Sequence, residues 1–401
     1  MNIKENKINY FSSFIIALII FNSGGVSVIP HYIVTVFAFF LILILFIFKE
    51  GEKKFIVKLS FIFFIVLFSN YYFTSWGGDP KRYIVFYSYI VTAILIISIY
   101  KSDPLQFILD LRRALIFFLI HAIFSFFAQF FIANYVVIEG QHIQTFKYIF
   151  YYQDRQTIPY LLRVQGLFWE PGVLQFYINI LFFISYFIIK DYRLTFLSVL
   201  IILTTFSTTG YLLIAIQIIY ILISNMKRKF IAFPLLLFSI VLIVPVLSRN
   251  IEDKISGYNR KSSLVRELDF AIGIDIIKNN PILGIGLTNE NYTYTHYFYG
   301  ESIRALFEVT EDELYNKGTT NSILWISSAL GLPIFFLWLY YLFNQQIIMS
   351  NRYLFLFIIF ITLLSEPLVM TPFFIIFFIS GLSIKKRAIS TFSPFGKLNN
   401  T

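Results

Sequence analysis

The sequence has no cysteine, only four histidines, and a charged fraction of 13% over 401 residues. Without cysteine there is no thiol nucleophile, no disulfide and no thiolate-bound metal. His31, His121, His142 and His296 lie too far apart for a metal-ligand spacing, so no metal site is expected. A soluble domain carries about 25% charged residues, and a chain so poor in charge is not one. Glycine is too sparse in the run NPILGIG, at Gly284 and Gly286, for a dinucleotide fingerprint, which needs a third glycine and a preceding strand. A tight turn is expected there instead.

What the chain has in abundance is apolar surface: 58% of residues are hydrophobic, 20% are aromatic, and the mean hydropathy is +0.75. Apolar runs near the ~20 residues that cross a ~30 Å hydrocarbon core lie at 9–27, 30–48, 56–74, 83–100, 114–134, 171–189, 194–206, 210–225, 230–248, 321–343, 352–366 and 368–384. An all-α polytopic membrane protein of about twelve transmembrane helices is therefore expected. The uncharged stretch from Leu194 to Met226 would be ~50 Å long as one helix, too much for tilt to absorb. The polar run Thr204, Thr205, Ser207, Thr208, Thr209, Gly210 supplies a turn that divides it into two.

The net charge of +10 orients the chain. Basic residues gather in alternate short connections, among them Lys4 and Lys7, Lys53 and Lys54, Arg112 and Arg113, Lys190 and Arg193, and Lys227 to Lys229. The positive-inside rule makes that side cytoplasmic and predicts both termini there. Among short outer loops only Lys81 and Arg82 dissent. The N-terminal stretch reads as a first membrane helix and not a removed signal peptide. Since the basic residues sit between spans and not on one soluble face, no nucleic-acid partner is expected.

The organisation is a single membrane domain, 1–401, with two outer loops at 135–170 and 249–320, the larger lying between spans nine and ten. Leu264, Leu268, Ile272 and Ile276 recur every four residues in the larger loop, predicting a helix packed on the bundle or lying on the membrane, stopped at Asn279-Asn280-Pro281.

Candidate chemistry collects on the outer side. The run RVQGLFWEPG supplies Arg163, Trp169 and Glu170 at the entrance of span six; Arg260 and Arg266 lie on the loop helix; Asn321 opens span ten; Glu366-Pro367 ends span eleven. Ionisable groups at membrane depth cost ~2.5–3.5 kcal/mol to insert and tend to mark function. Arginine forks match phosphate oxygens, so Arg163, Arg266 and Arg260 are candidates to hold a lipid diphosphate. Glu170 or Glu366 could deprotonate an acceptor hydroxyl, and Asn321 stands with them as a catalytic candidate. Trp169, Tyr292, Tyr294, His296 and Tyr297 could stack on sugar rings, although an interfacial aromatic belt explains the same cluster. Other readings also stand: Arg163 and Glu170 as an ion pair, Arg260 as a solvated charge, Glu366 as a helix-end carboxylate.

Taken together, Arg163-Val-Gln-Gly166-Leu-Phe-Trp169-Glu170-Pro171, the turn Ser207 to Gly210, and Arg266 ahead of Asn280-Pro281-Ile-Leu-Gly284-Ile-Gly286 resemble bacterial O-antigen polymerases and the related O-antigen ligases over about residues 160–340. The resemblance implies a GT-C-like glycosyltransferase, metal-independent, working without a cofactor at the periplasmic face of the inner membrane on undecaprenyl diphosphate-linked oligosaccharides for lipopolysaccharide or other surface-polysaccharide biosynthesis; direct attack by the acceptor would make it inverting. It implies that Arg163 and Arg266 engage diphosphate. Membrane lipid is a further partner, and a chain-length regulator protein is left open. Ligase-like members place a histidine near the start of the span after the long loop, where this chain reads Thr319, Thr320, Asn321. A polymerase is thus expected ahead of a ligase that transfers glycan to lipid A-core. The rival of a different class is a lipid-linked oligosaccharide flippase, which would favour polar sites near the midplane; Asn179, Gln129 and Gln217 are few.

Overall fold

In the computed structural model, residues 3–26, 28, 30–49, 52–74, 78–131, 136–137, 143–158, 161–224, 260–287 and 321–383 are described. The expected span at 230–248, most of the 249–320 loop, and Tyr292, Tyr294, His296 and Tyr297 lie outside them.

Five helices come first: α1 (Ile3–Asn22), α2 (His31–Lys49), α3 (Lys53–Phe73), α4 (Pro80–Tyr100) and α5 (Pro104–Ala128). The starts of α4 and α5 are written in the sequence as Asp-Pro. The Asp79 side chain accepts from Lys81 N and that of Asp103 from Gln106 N, while each proline occupies the first turn, where its missing N–H costs nothing. Next comes α6 (Pro171–Phe183), continuing as a π-helix at Ile184–Ile189 that Lys190 closes at φ +66°. The 194–226 stretch divides as expected into α7 (Tyr192–Thr204) and α8 (Thr208–Ser224). After α9 (Arg260–Asn279) come α10 (Ser322–Leu330), α11 (Leu332–Phe343), α12 (Arg352–Ser365) and α13 (Pro372–Ser383).

The protein is mostly helical, with several apolar helices. Among the described residues, four are long and apolar enough to cross a membrane (His31–Phe48, Lys53–Phe73, Pro80–Tyr100 and Pro171–Ile189), and six more are apolar but shorter. Two features depart from the expected all-α, twelve-span plan. Four strands, β1 (Val136–Val137), β2 (Ile143–Phe146), β3 (Phe150–Ile158) and β4 (Leu161–Val164), form an antiparallel sheet in chain order inside the 135–170 loop. The tenth expected span is two helices, broken at Gly331, whose φ of +83° ends α10.

Helix α6 is the axis of the bundle. Every residue from Pro171 to Phe183 is buried, against α5, α7, α8 and α12. Its aromatic face meets α13: Phe176 stacks on Phe374 with centroids 5.0 Å apart, and Tyr177 meets Phe373 edge-on at 5.2 Å. At the opposite extreme α2 and α3 turn Val36, Ile47, Val57 and Phe61 outward, the surface expected of helices that face lipid.

The sheet is fastened to the far end of α5. Tyr152 OH donates to Ser125 O at 2.6 Å, Leu162 N donates to Gln129 Oε1 at 3.1 Å, and the His121 ring bonds Ile149 O at 2.9 Å. Connections on the other side of the bundle are tied by charge, Lys101 to Glu52 and Arg112 to Asp191. Asp110, fully buried, takes hydrogen bonds from Ser13, Tyr100, Gln106 and Arg113, as a carboxylate out of water must.

Candidate functional site

Helix α6 begins at a junction of four chain segments. Trp169 N donates to Gly24 O and Val26 N to Leu167 O, laying the FWE run against the end of α1. Phe373 N, at the start of α13, donates to Ser23 Oγ at 3.0 Å, which brings the 366–372 turn to the same place. The proline after Glu366 forces that residue out of helical geometry, and α12 stops there.

Glu366 is buried, and its carboxylate lies against Gly172 in the first turn of α6; a Cβ on Gly172 would collide with Glu366 Oε1. The N–H groups of a helix's first turn are unpaired along the helix and carry partial positive charge, which favours an anion at this spot. Glu170 immediately precedes α6. Its carbonyl accepts from Val173 and Leu174, and its side chain is exposed and makes no cap bond. The two Glu-Pro pairs of the sequence, 170–171 and 366–367, thus meet at one helix end.

Asn321 reaches the same junction through its neighbour. Its Oδ1 accepts from Ile323 N at 2.9 Å and Leu324 N at 3.2 Å, so it is the N-cap of α10. Ser322 Oγ donates to Glu366 O and accepts from Leu368 N and Val369 N. The three expected catalytic residues therefore come together, with Asn321 in a capping position that its residue type explains.

Arg163 is held by the sheet and by the α7–α8 turn. From β4, opposite Gln153 of β3, its Nε donates to Thr205 O at 3.1 Å and its Nη1 to Gln153 Oε1 at 2.9 Å. Thr205 lies in the α7–α8 turn. The same turn reaches α6 at Gly210, where a Cβ would crowd the Gln175 side chain at 3.0 Å. The two expected motifs, RVQGLFWEPG and Ser207 to Gly210, are thus packed on one another. Thr205 O and Gln153 Oε1 are both neutral acceptors.

Helix α9 carries Arg266, which is exposed. As expected, the helix ends at Asn279 and buries Ile272 and Ile276; Leu264, Leu268 and the Arg260 side chain lie outside the described side chains. Gly273 faces Leu324 of α10. The turn after α9 lies along the other end of α10, with Ile285 N donating to Ser328 O at 2.8 Å and Gly286 N to Ala329 O at 3.0 Å. Helices α9 and α10 therefore run in the same direction. Arg266, about two turns ahead of Gly273 or ~10 Å along the axis, lies toward the Asn321 end.

The polar residues at membrane depth bond to one another. Gln217 Nε2 donates to Asn179 Oδ1 and Asn179 Nδ2 to Gln175 Oε1, each at 2.9 Å. Gln129 anchors the sheet. Sequence reasoning did not name Ser322, and it carried Gly172 only as part of the RVQGLFWEPG run, with no role of its own.

Residues 194–339 match the family model described as O-antigen ligase. The match supports the O-antigen polymerase/ligase family. The matched region runs from α7 into α11 and contains the Ser207 to Gly210 turn, Arg260, Arg266 and Asn321; Arg163, Trp169, Glu170 and Glu366 lie outside it. No curated protein and no solved structure matches the chain.

Proposed function

We propose that this protein is a surface-polysaccharide polymerase, a GT-C-like enzyme of the bacterial inner membrane with both termini cytoplasmic, which joins undecaprenyl diphosphate-linked oligosaccharide repeat units at the periplasmic face. The observation that carries the reading is the junction at the head of α6, where the buried carboxylate of Glu366 lies against Gly172, two residues after Glu170, while Arg163 is tied to the α7–α8 turn that packs on the same helix.

Arg163 and Arg266 hold the donor's diphosphate. An arginine–phosphate contact at ~4 Å and an effective dielectric near 20 is worth about 4 kcal/mol before desolvation, and it grows as the leaving group takes up charge. Glu366 accepts the proton of the acceptor hydroxyl. That oxygen attacks the anomeric carbon from the face opposite the diphosphate, the carbon–oxygen bond to diphosphate breaks, and undecaprenyl diphosphate leaves. The anomeric centre inverts, and neither metal nor nucleotide sugar takes part. An apolar groove of about 610 Å³, lined by Phe14, Ala17, Phe21, Phe117 and Leu167 between α1 and α5, ends one residue from Phe168 and suits an isoprenoid chain.

The test is the length of surface glycan in cells carrying Arg163→Ala or Arg266→Ala at normal protein levels. Single repeat units are expected in place of long chains, and persistence of long glycan rejects the diphosphate roles. The description of the matched family favours a second reading, transfer to lipid A-core. Purified protein supplied with lipid-linked repeat units alone separates the two, since a polymerase makes a ladder without lipid A-core and a ligase does not.

A further inference from the structure

We infer that Ser322 is a positioning residue for the Glu366 carboxylate, coupling the start of α10 to the base of the reaction; this rests on the polymerase reading above. Ser322 makes more bonds than its own helix requires. Asn321 already caps α10 by taking the N–H groups of Ile323 and Leu324, so the helix has no need of the next hydroxyl. A serine hydroxyl offers one donor and two acceptor sites. Ser322, fully buried, directs all three to a segment 44 to 47 residues away: it donates to Glu366 O and accepts from Leu368 N at 2.6 Å and Val369 N at 3.0 Å.

Within that segment Leu368 N donates to Glu366 O at 2.9 Å and Thr371 N to Leu368 O at 3.0 Å. The Ser322 hydroxyl adds three bonds across its first residues and ties them to the start of α10. On the other side the carboxylate rests where Gly172 has no side chain, in a space that a single Cβ would fill. Residue 366 is thus held on two sides, its backbone by the Ser322 bonds and its carboxylate against a glycine, and either change shifts the carboxylate at the head of α6. A misplacement of about 1 Å costs up to ~100-fold in rate when the bound geometry must be met.

The experiment uses the full chain purified in detergent and undecaprenyl diphosphate-linked repeat units extracted from the host strain, with kcat, KM and melting temperature measured for each variant. Ser322→Ala is expected to lower kcat about 10- to 100-fold with KM within about twofold, and Ser322→Thr, which restores the hydroxyl, to recover most of it. Tyr100→Phe removes a buried hydroxyl bond to Asp110 at the other end of the bundle and should lower the melting temperature without changing kcat. The inference is overturned if Ser322→Ala keeps wild-type kcat, if its loss is matched by Tyr100→Phe at equal melting temperature, or if Glu366→Gln is fully active. Should Ser322→Ala fail to fold, Gly172→Ala displaces the same carboxylate from the other side, and unchanged kcat there overturns the inference equally. Wild-type protein that makes no ladder rejects the polymerase reading itself, a result distinct from a ladder that Ser322→Ala leaves intact.

Discussion

The most informative residues are those whose type makes sense only once their neighbours are known. Gly172 looks like an ordinary small residue after a proline, yet it is where a distant carboxylate meets a helix end. Asp191 is a plainer case. Leu194 N–H donates to it at 3.1 Å, and with the Arg112 guanidinium this holds its carboxyl below the usual carboxylate range. Asp191→Ala should lower stability by about 1 kcal/mol, the usual worth of an N-cap. Because the folded-state pKa is depressed, the contribution is complete above the unfolded value near ~3.9 and disappears as pH falls through the folded one. The gap in melting temperature between wild type and variant should be constant from neutral pH down to about pH 4 and close below it; a gap that already narrows near pH 6 would contradict this account.

At the scale of elements, the NPILGIG segment does more than turn. It crosses the end of α10, where the last carbonyls of a helix lack partners, and supplies Ile285 N and Gly286 N to two of them. On its other side Asn70 Nδ2 donates to Leu283 O at 2.7 Å, and Tyr83 OH, which donates to Asn70, accepts from Leu287 N at 3.2 Å. The strap thereby joins α3 and α4 to the break at Gly331. Gly284 sits at φ +67°, and a Cβ there would collide with Ser328 O, so Gly284→Ala combines backbone strain on the order of 1–3 kcal/mol with a steric clash. A clear drop in melting temperature is expected, larger than for Gly273→Ala, whose Cβ meets only the Leu324 side chain, closest at 3.1 Å; equal drops would argue against the strap. The groove between α1 and α5 makes a separate prediction. Ala17→Trp fills it and should raise the KM for a lipid-linked donor while leaving folding intact, as read by turnover and melting temperature, whereas an unchanged KM would place the isoprenoid chain elsewhere.

At the scale of the molecule the orientation can be tested directly, because a chain without cysteine accepts single reporters. Lys147→Cys, in the β2–β3 turn, should react with a membrane-impermeant maleimide in intact spheroplasts, and Lys101→Cys, between α4 and α5, only after permeabilisation. The reverse pattern would invert the topology and remove the periplasmic site. Much of the architecture was legible in the chain itself. Apolar runs marked the helices, the polar run at 204–210 divided α7 from α8, and Asn279-Asn280-Pro281 ended α9, since each of these signals is local in the chain; the start of α5 at Pro104 was read ten residues late, because its first turns carry Asp110, Arg112 and Arg113. The sheet at 136–164 escaped because its anchors, Ser125, Gln129 and His121, lie on another element. The break at Gly331 escaped because an isolated glycine is tolerated inside an apolar run until another segment needs its backbone. Residue types at the expected span ends named Arg163, Glu170, Asn321 and Glu366 one by one; that the carboxylate of Glu366 meets Gly172 while Ser322 holds the Glu366 backbone was decided only by tertiary structure, because hydrogen bonds between residues 44 or more positions apart leave no periodicity in the chain.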